Sequence, residues 1–132
     1  MIKEYDSKVF ENMSSLVINE REIKKELDTN PFAKYLLYIE KNCIIAYLYY
    51  SEIYDRIEIN QLEVEKNHRN CGIATKLLKE LTDSVDKDIT LEVKVDNDPA
   101  IALYNKFDFE KKAIRKGYYK GIDGILMERK SK

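Results

Sequence analysis

Between Ile57 and Leu78 the apolar positions change their period twice. Ile57 and Ile59 alternate with polar residues, as in a strand with one buried face. Leu62 and Val64 continue the alternation, but on even positions. A one-residue slip would turn the core side chains to the wrong face. A β-bulge near Asn60 and Gln61 is the cheapest repair, and it bends the strand that carries it. After a polar turn, Ala74, Leu77, Leu78 and Leu81 fall at i, i+3, i+4 and i+7, one face of a helix. The pattern therefore predicts a bulged strand, a turn and a helix in immediate succession.

The remaining elements follow from the same periodicities. Ile2 to Tyr5 is a short candidate strand. Asp6-Ser7 can cap a short helix carrying Val9, Phe10 and Met13. A second helix starts at the cap Asn19, with Glu22 completing a capping box and Ile18 and Ile23 placed for a hydrophobic staple. It runs to about Leu27 and stops before Asn30-Pro31. Tyr35–Ile39 and Cys43–Tyr50, rich in β-branched and aromatic residues, flank Lys41-Asn42 as a hairpin. Asp55-Arg56 turns the chain into the bulged strand, completing an antiparallel meander. Asp88 to Val95 is the next strand, with Glu92 on the face opposite Leu91 and Val93. Asp98 caps a further helix with Pro99 at its first position, and Ala100, Leu103, Tyr104 and Phe107 form its buried stripe. Glu110–Tyr119 and Gly124–Lys130 read as two closing strands. The order β-α-α-β-β-β-α-β-α-β-β predicts an α/β fold: a mixed, mostly antiparallel sheet with helices on both faces.

Composition narrows the function. The chain has 132 residues, enough for one domain with a real core, which we expect to span 1–132. With 23 basic and 24 acidic residues it lacks the positive field that a nucleic-acid ligand requires. The charged N-terminus carries no signal-peptide pattern, and the longest apolar stretch, Cys43 to Tyr50, is too short for a bilayer. A single histidine makes a zinc site improbable, and two distant cysteines fit a reduced, cytoplasmic protein.

Arg69-Asn70-Cys71-Gly72-Ile73-Ala74 has the form R-x-x-G-x-A across the strand-to-helix turn. Glycine and alanine keep side chains away, so the free N–H groups of the first helical turn can meet a phosphate. The hexamer alone fits a tightly packed helix start equally well. With the bulged strand before it, V-x-x-x-x-R-x-x-G-x-A (Val64, Arg69, Gly72, Ala74) resembles the acetyl-CoA motif of the GNAT N-acetyltransferase superfamily. The resemblance covers essentially the whole chain. It implies that the bulge parts two strands to admit the pantetheine arm, and that Leu62 and Val64 offer it backbone groups. It also implies that the turn Asn70, Cys71, Gly72, Ile73, Ala74, Thr75 cradles the pyrophosphate, with Cys71 standing at an often basic position.

Leu91-Glu92-Val93, Asn97, Ala102-Leu103-Tyr104 and Arg115-Lys116-Gly117-Tyr118-Tyr119, with Asp123 and Met127, resemble the RimI branch, which acetylates the α-amino group of a ribosomal protein. That resemblance implies Glu92 as the base, Tyr104 as the acid toward the departing thiolate, and Asn97 as a contact to the CoA arm. It further implies that Tyr118 and Tyr119 close over a protein N-terminus. By residue type alone, Glu92 is a strand carboxylate, Tyr104 a core aromatic, Asn97 a turn residue and the tyrosine pair ordinary strand aromatics. Arg115 and Lys116 read as solvated, His68 as surface and Cys43 as core, so direct attack in a ternary complex is preferred over an acetyl-cysteine. Glu52, Asp55, Glu58, Glu63 and Glu65 read as solvated; facing a groove, they would favour a basic peptide. A small-amine or lysine acceptor, and a non-catalytic CoA-binding module, are the rival functions. Phe107-Asp108-Phe109 replaces the family's Leu-Gly-Phe and predicts a positive φ at Asp108.

Overall fold

The computed structural model describes residues 1–132. Eight strands and three helices follow one another as β1 (Ile2–Glu4), β2 (Ser14–Ser15), α1 (Glu20–Thr29), β3 (Ala33–Glu40), β4 (Cys43–Ile53), β5 (Arg56–Val64), α2 (Ile73–Ser84), β6 (Asp88–Lys94), α3 (Asp98–Lys106), β7 (Glu110–Tyr119) and β8 (Ile122–Arg129). They build one mixed sheet in the order β1-β3-β4-β5-β6-β8-β7, with β2 paired to β4. Most neighbours are antiparallel; β5 with β6 and β2 with β4 are parallel.

The helix expected after Asp6 does not form. Asp6 Oδ1 accepts the N–H groups of Lys8 and Val9, and isolated i+3 bonds follow at Val9, Glu11 and Met13. Asn12 then takes φ 58°, which a continuing helix forbids. The side chain that could have capped a helix closes a local turn instead. The order therefore begins β-β-α, not β-α-α. A second correction concerns α3: Asn97, not Asp98, is its cap, accepting from Ala100 N at 3.3 Å.

The other caps follow the sequence. Asn19 Oδ1 accepts from Glu22 N at 2.9 Å and its amide donates to Glu22 Oε1 at 3.0 Å. Ile18 and Ile23 are both buried beside it. α1 extends two residues beyond the expected end, closed by Asn30 N–H to Glu26 O. Lys41 and Asn42 take φ 51° and 60°, the paired positive values of a tight hairpin turn. Asp108 takes φ 67°, as its place after α3 requires.

Two cores sandwich the sheet. On one face Leu36, Leu48, Tyr50, Ile59, Leu91 and Met127 lie in register under α2 and α3, whose Leu77, Leu78, Leu81 and Tyr104 complete the larger core. On the other, Tyr35, Leu37 and Tyr47 pack with Ile23 of α1. The predicted bulge is present: Tyr49 pairs with Gln61 and Tyr50 with Ile59, leaving Asn60 as the extra residue. Its amide donates to the buried Ser51 hydroxyl at 2.8 Å, which also receives Asn30 at 3.3 Å. Strand β7 closes the sheet as an edge, exposed along its length except at Tyr119. No helix is long and apolar enough to cross a membrane.

Leu78 is fully buried in the larger core. Leu78→Ala is expected to lower the unfolding free energy by about 3 kcal/mol, read as a lower urea midpoint at unchanged slope.

Candidate active site

The site is built on a parting of two strands. β5 and β6 pair only from Arg56↔Asp88 to Ile59↔Leu91. Beyond the bulge, Asn60–Val64 and Glu92–Lys94 have no partner across this gap, although β5 stays paired to β4 through Val64. Hydrogen-bonding residues alternate along an antiparallel strand. Because Glu65 N–H donates to Ile45 O, the odd residues of upper β5 turn toward β4. The backbone groups of Leu62 and Val64 are thereby left on the open edge. Arg69 Nε takes one of them, the Val64 carbonyl, at 3.0 Å, while the guanidinium remains exposed.

At the mouth of the gap the chain turns into α2. Asn70 and Gly72 both take left-handed φ values of 62° and 79°, the latter costless only for glycine. Ile73 anchors the turn by burying its side chain. Cys71 and Thr75 are exposed, and Ala74 presents no bulk. No protein acceptor takes the backbone N–H groups of Gly72, Ile73, Ala74 or Thr75, and no side chain caps the helix. A row of free donors at a helix start is a phosphate-binding arrangement. Asn97 stands at the start of α3, its carbonyl oxygen committed to the cap and its amide nitrogen unbonded.

On the sheet face away from α2, a cleft of about 500 Å³ lies over β5, β6, β8 and β7. Glu58, Thr90, Glu92 and Leu126 line it from the same face of their strands, with Arg56, Asn60, Arg115, Tyr118 and Tyr119 around them. Glu92 Oε1 lies 3.2 Å from Arg115 Nη2. Its Oε2 is buried and bonded to no protein group. Consecutive strand residues normally face opposite ways, yet Tyr118 and Tyr119 both reach the cleft. A bulge between Arg115 and Tyr119, with Gly117 at φ 61° held by Asp123 Oδ1 at 2.9 Å, makes this possible. Their rings meet edge to face at 4.8 Å.

Tyr104 lies on the opposite face, in the larger core, its ring edge-on to Phe109 at 5.4 Å. Its hydroxyl bonds to no protein group, and burial pushes it up to about 12. Tyr104 is therefore a neutral hydroxyl throughout the physiological range.

Arg115 and Gly124 were not singled out by residue type as parts of a site. Arg115 is exposed, as it reads by residue type, and it also lies across the cleft against Glu92. A glycine inside a strand signals close approach, and Gly124 is such a case: a Cβ there would lie 3.3 Å from Glu92 Oε2 and 3.1 Å from Tyr119 Cε2. The acidic series is dispersed. Glu52 pairs with Lys34 and Lys87, Glu63 accepts from Tyr47, Glu65 accepts from His68, and only Glu58 lines the cleft. Arg56 and Arg115 oppose it there, so these carboxylates do not make the cleft a basic-peptide groove. No cluster of three or more His, Cys, Asp or Glu side chains is placed to hold a metal ion.

A bulged sheet parted beside a helix start, with free amides at its mouth, defines an acyl-coenzyme A-type site. The chain belongs to the acetyltransferase (GNAT) family, whose profile matches residues 3–109. It is 46% identical over 74 residues to the N-alpha-acetyltransferase of Saccharolobus solfataricus, covering 52% of this chain and 44% of that one. It is 36% identical over 77 residues to N-alpha-acetyltransferase RimI of Mycobacterium tuberculosis, covering 56% and 49%. The matched stretch thus spans just under half the length of these relatives. The fold is shared with the ribosomal-protein-S18-alanine N-acetyltransferase of Escherichia coli: TM-score 0.78, 20% identity, 97% of this chain and 91% of that one.

The Tyr104 shift has a stability consequence. Its folded pKa is raised, so its contribution is complete below the unfolded value near 10 and is lost as pH rises toward about 12. Tyr104→Phe, which keeps the ring contact, is expected to remove one late-titrating tyrosinate from the absorbance titration and to weaken the pH dependence of unfolding in that window.

Proposed function

We propose that residues 1–132 are one N-acetyltransferase domain that moves an acetyl group from acetyl-CoA to the α-amino group of a protein N-terminus. The observation that carries this reading is the parting of β5 from β6 beside the free amides of Gly72 to Thr75. Pantetheine carries amides of its own, and the outward backbone groups of Leu62 and the Val64 N–H suit them. The turn Asn70 to Thr75 suits the pyrophosphate, with Ile73 serving through its backbone and Arg69 by fixing the Val64 carbonyl. Asn97 has a free amide nitrogen to offer the CoA arm.

The acceptor is assigned to the cleft over Glu92. An α-amino group has a pKa of about 7.7–8.0, against about 10.4 for lysine, so a carboxylate suffices as its base. The buried, unbonded Oε2 of Glu92 suits the amine proton, taken directly or through water. Nitrogen attacks the thioester carbon, the C–N bond forms, the C–S bond breaks and the thiolate departs. Tyr104 serves that thiolate as a hydrogen-bond donor. With its hydroxyl at about 12 and a thiol near 8.5, complete proton transfer from tyrosine would be uphill by roughly 5 kcal/mol. Solvent supplies the final proton. Tyr118 and Tyr119 flank the entering backbone.

The acceptor class rests on the relatives. Two are named N-alpha-acetyltransferases, and the Escherichia coli structure is named for the alanine of ribosomal protein S18. A ribosomal-protein N-terminus is accordingly the acceptor we propose, in the cytoplasm, where the two free cysteines stay reduced.

Incubation with acetyl-CoA and a panel of N-terminal peptides, polyamines and N-blocked lysine peptides, read by mass, tests this. The expected result is one acetyl group on an α-amine. Transfer to the polyamine or lysine arm alone would replace the acceptor class, and no transfer to any arm despite cofactor binding would overturn the enzyme. Glu92→Gln and Tyr104→Phe are each expected to lower kcat roughly a hundredfold or more, with the acetyl-CoA thermal shift retained.

A further inference from the structure

We infer that Arg115 is a positioning residue for Glu92, and that the absence of a side chain at Gly124 keeps the place the Glu92 carboxylate occupies. The inference rests on the reading of Glu92 as the base. Arg115 stands on β7 and Glu92 on β6, with β8 between them. Arg115 pairs in register with Gly124 and Glu92 with Leu126, so the contact runs diagonally across β8 past Gly124. The guanidinium crosses β8 and meets Glu92 Oε1 at 3.2 Å, and the bare Gly124 leaves room for the Glu92 carboxylate and the Tyr119 ring beside it. A Cβ at that point would stand 3.3 Å from Glu92 Oε2 and 3.1 Å from Tyr119 Cε2.

The guanidinium is held from a second side. It lies 4.4 Å over the Tyr118 ring, a stacking that a planar guanidinium makes better than an ammonium. Arg115, though exposed, thus has two partners, an aromatic face and one carboxylate oxygen. Engaging Oε1 settles the orientation of Glu92 and leaves the buried Oε2 as the oxygen with a free lone pair. A glutamate has three rotatable bonds, and an unrestrained one would spread its base oxygen over several rotamers. Lys116, the next cation along, takes no part: it pairs with Asp123 at 3.6 Å and is exposed. The other charged groups lining the cleft, Arg56 and Glu58, make no ion pair with Glu92 or Arg115.

The test compares Arg115→Gln, Arg115→Lys and Gly124→Ala, alone and in the Glu92→Gln background, with acetyl-CoA and the best peptide acceptor. Arg115→Gln is expected to lower kcat by roughly ten- to a hundredfold, the scale of a misplaced catalytic group, with KM for acetyl-CoA within about twofold. Arg115→Lys recovers only part of the loss, because the charge returns without the fork. In the Glu92→Gln background, Arg115→Gln adds no further loss. Gly124→Ala lowers kcat at an unchanged melting temperature. Losses that multiply across the two backgrounds, or an Arg115→Gln enzyme with parental kcat, would overturn the assignment. Full turnover by Glu92→Gln instead overturns the reading of the base itself. Crystal structures of the parent and Arg115→Gln give a readout independent of turnover: Glu92 is expected to change rotamer, and an unmoved Glu92 side chain refutes the inference.

Discussion

Everything in this molecule depends on two parallel strands that stop pairing after four residue pairs. A sheet gains from completing its ladder, and a backbone group left without a partner away from water costs about 1–3 kcal/mol. Here the loss is imposed from β4. The extra residue Asn60 bends β5 while β5 remains bonded to β4 on its other side. The bend is held by a buried hydroxyl, Ser51, which receives both Asn60 and the α1 cap residue Asn30. The open edge is therefore supported from the helix on the far face. Arg69 satisfies one exposed carbonyl, and the Leu62 groups and the Val64 N–H stay on the open edge.

This opening also solves a problem of placement. Glu92 faces the acceptor cleft on one side of the sheet, whereas Tyr104 belongs to the core on the other. A closed sheet would isolate them. A parted one leaves a passage between the two faces, which the proposed roles of Glu92 and Tyr104 require. The electrostatic settings differ accordingly: the carboxylate touches a guanidinium, while the phenol is kept neutral by desolvation.

The parts legible in sequence were those written in local periodicity. The phase slip from Ile59 to Leu62 placed the bulge within a residue, because side-chain alternation has no freedom to drift. The stripe Ala74 to Leu81 and the Asn19 cap were equally local. Failure came where one side chain had two local uses: Asp6 closed a turn in place of capping a helix, and Asn97 displaced its neighbour Asp98 as cap. The bridge from Arg115 across Gly124 to Glu92 was not legible, since it depends on the register of three strands. Gly124 gave no signal either, since it read as the first residue of its strand beside a turn, whereas β8 starts at Ile122 and puts it inside the strand.

The two walls of the cleft are anchored unequally. At the opening β5 still hangs on β4 and β6 on β8, all interior strands, but β7 is bonded only to β8 and is exposed nearly throughout. The β7 side of the cleft therefore has fewer backbone restraints than the side at the strand parting. If the proposed acceptor enters over β7, the two reactants would meet walls of unequal restraint, set by where each wall hangs in the same sheet.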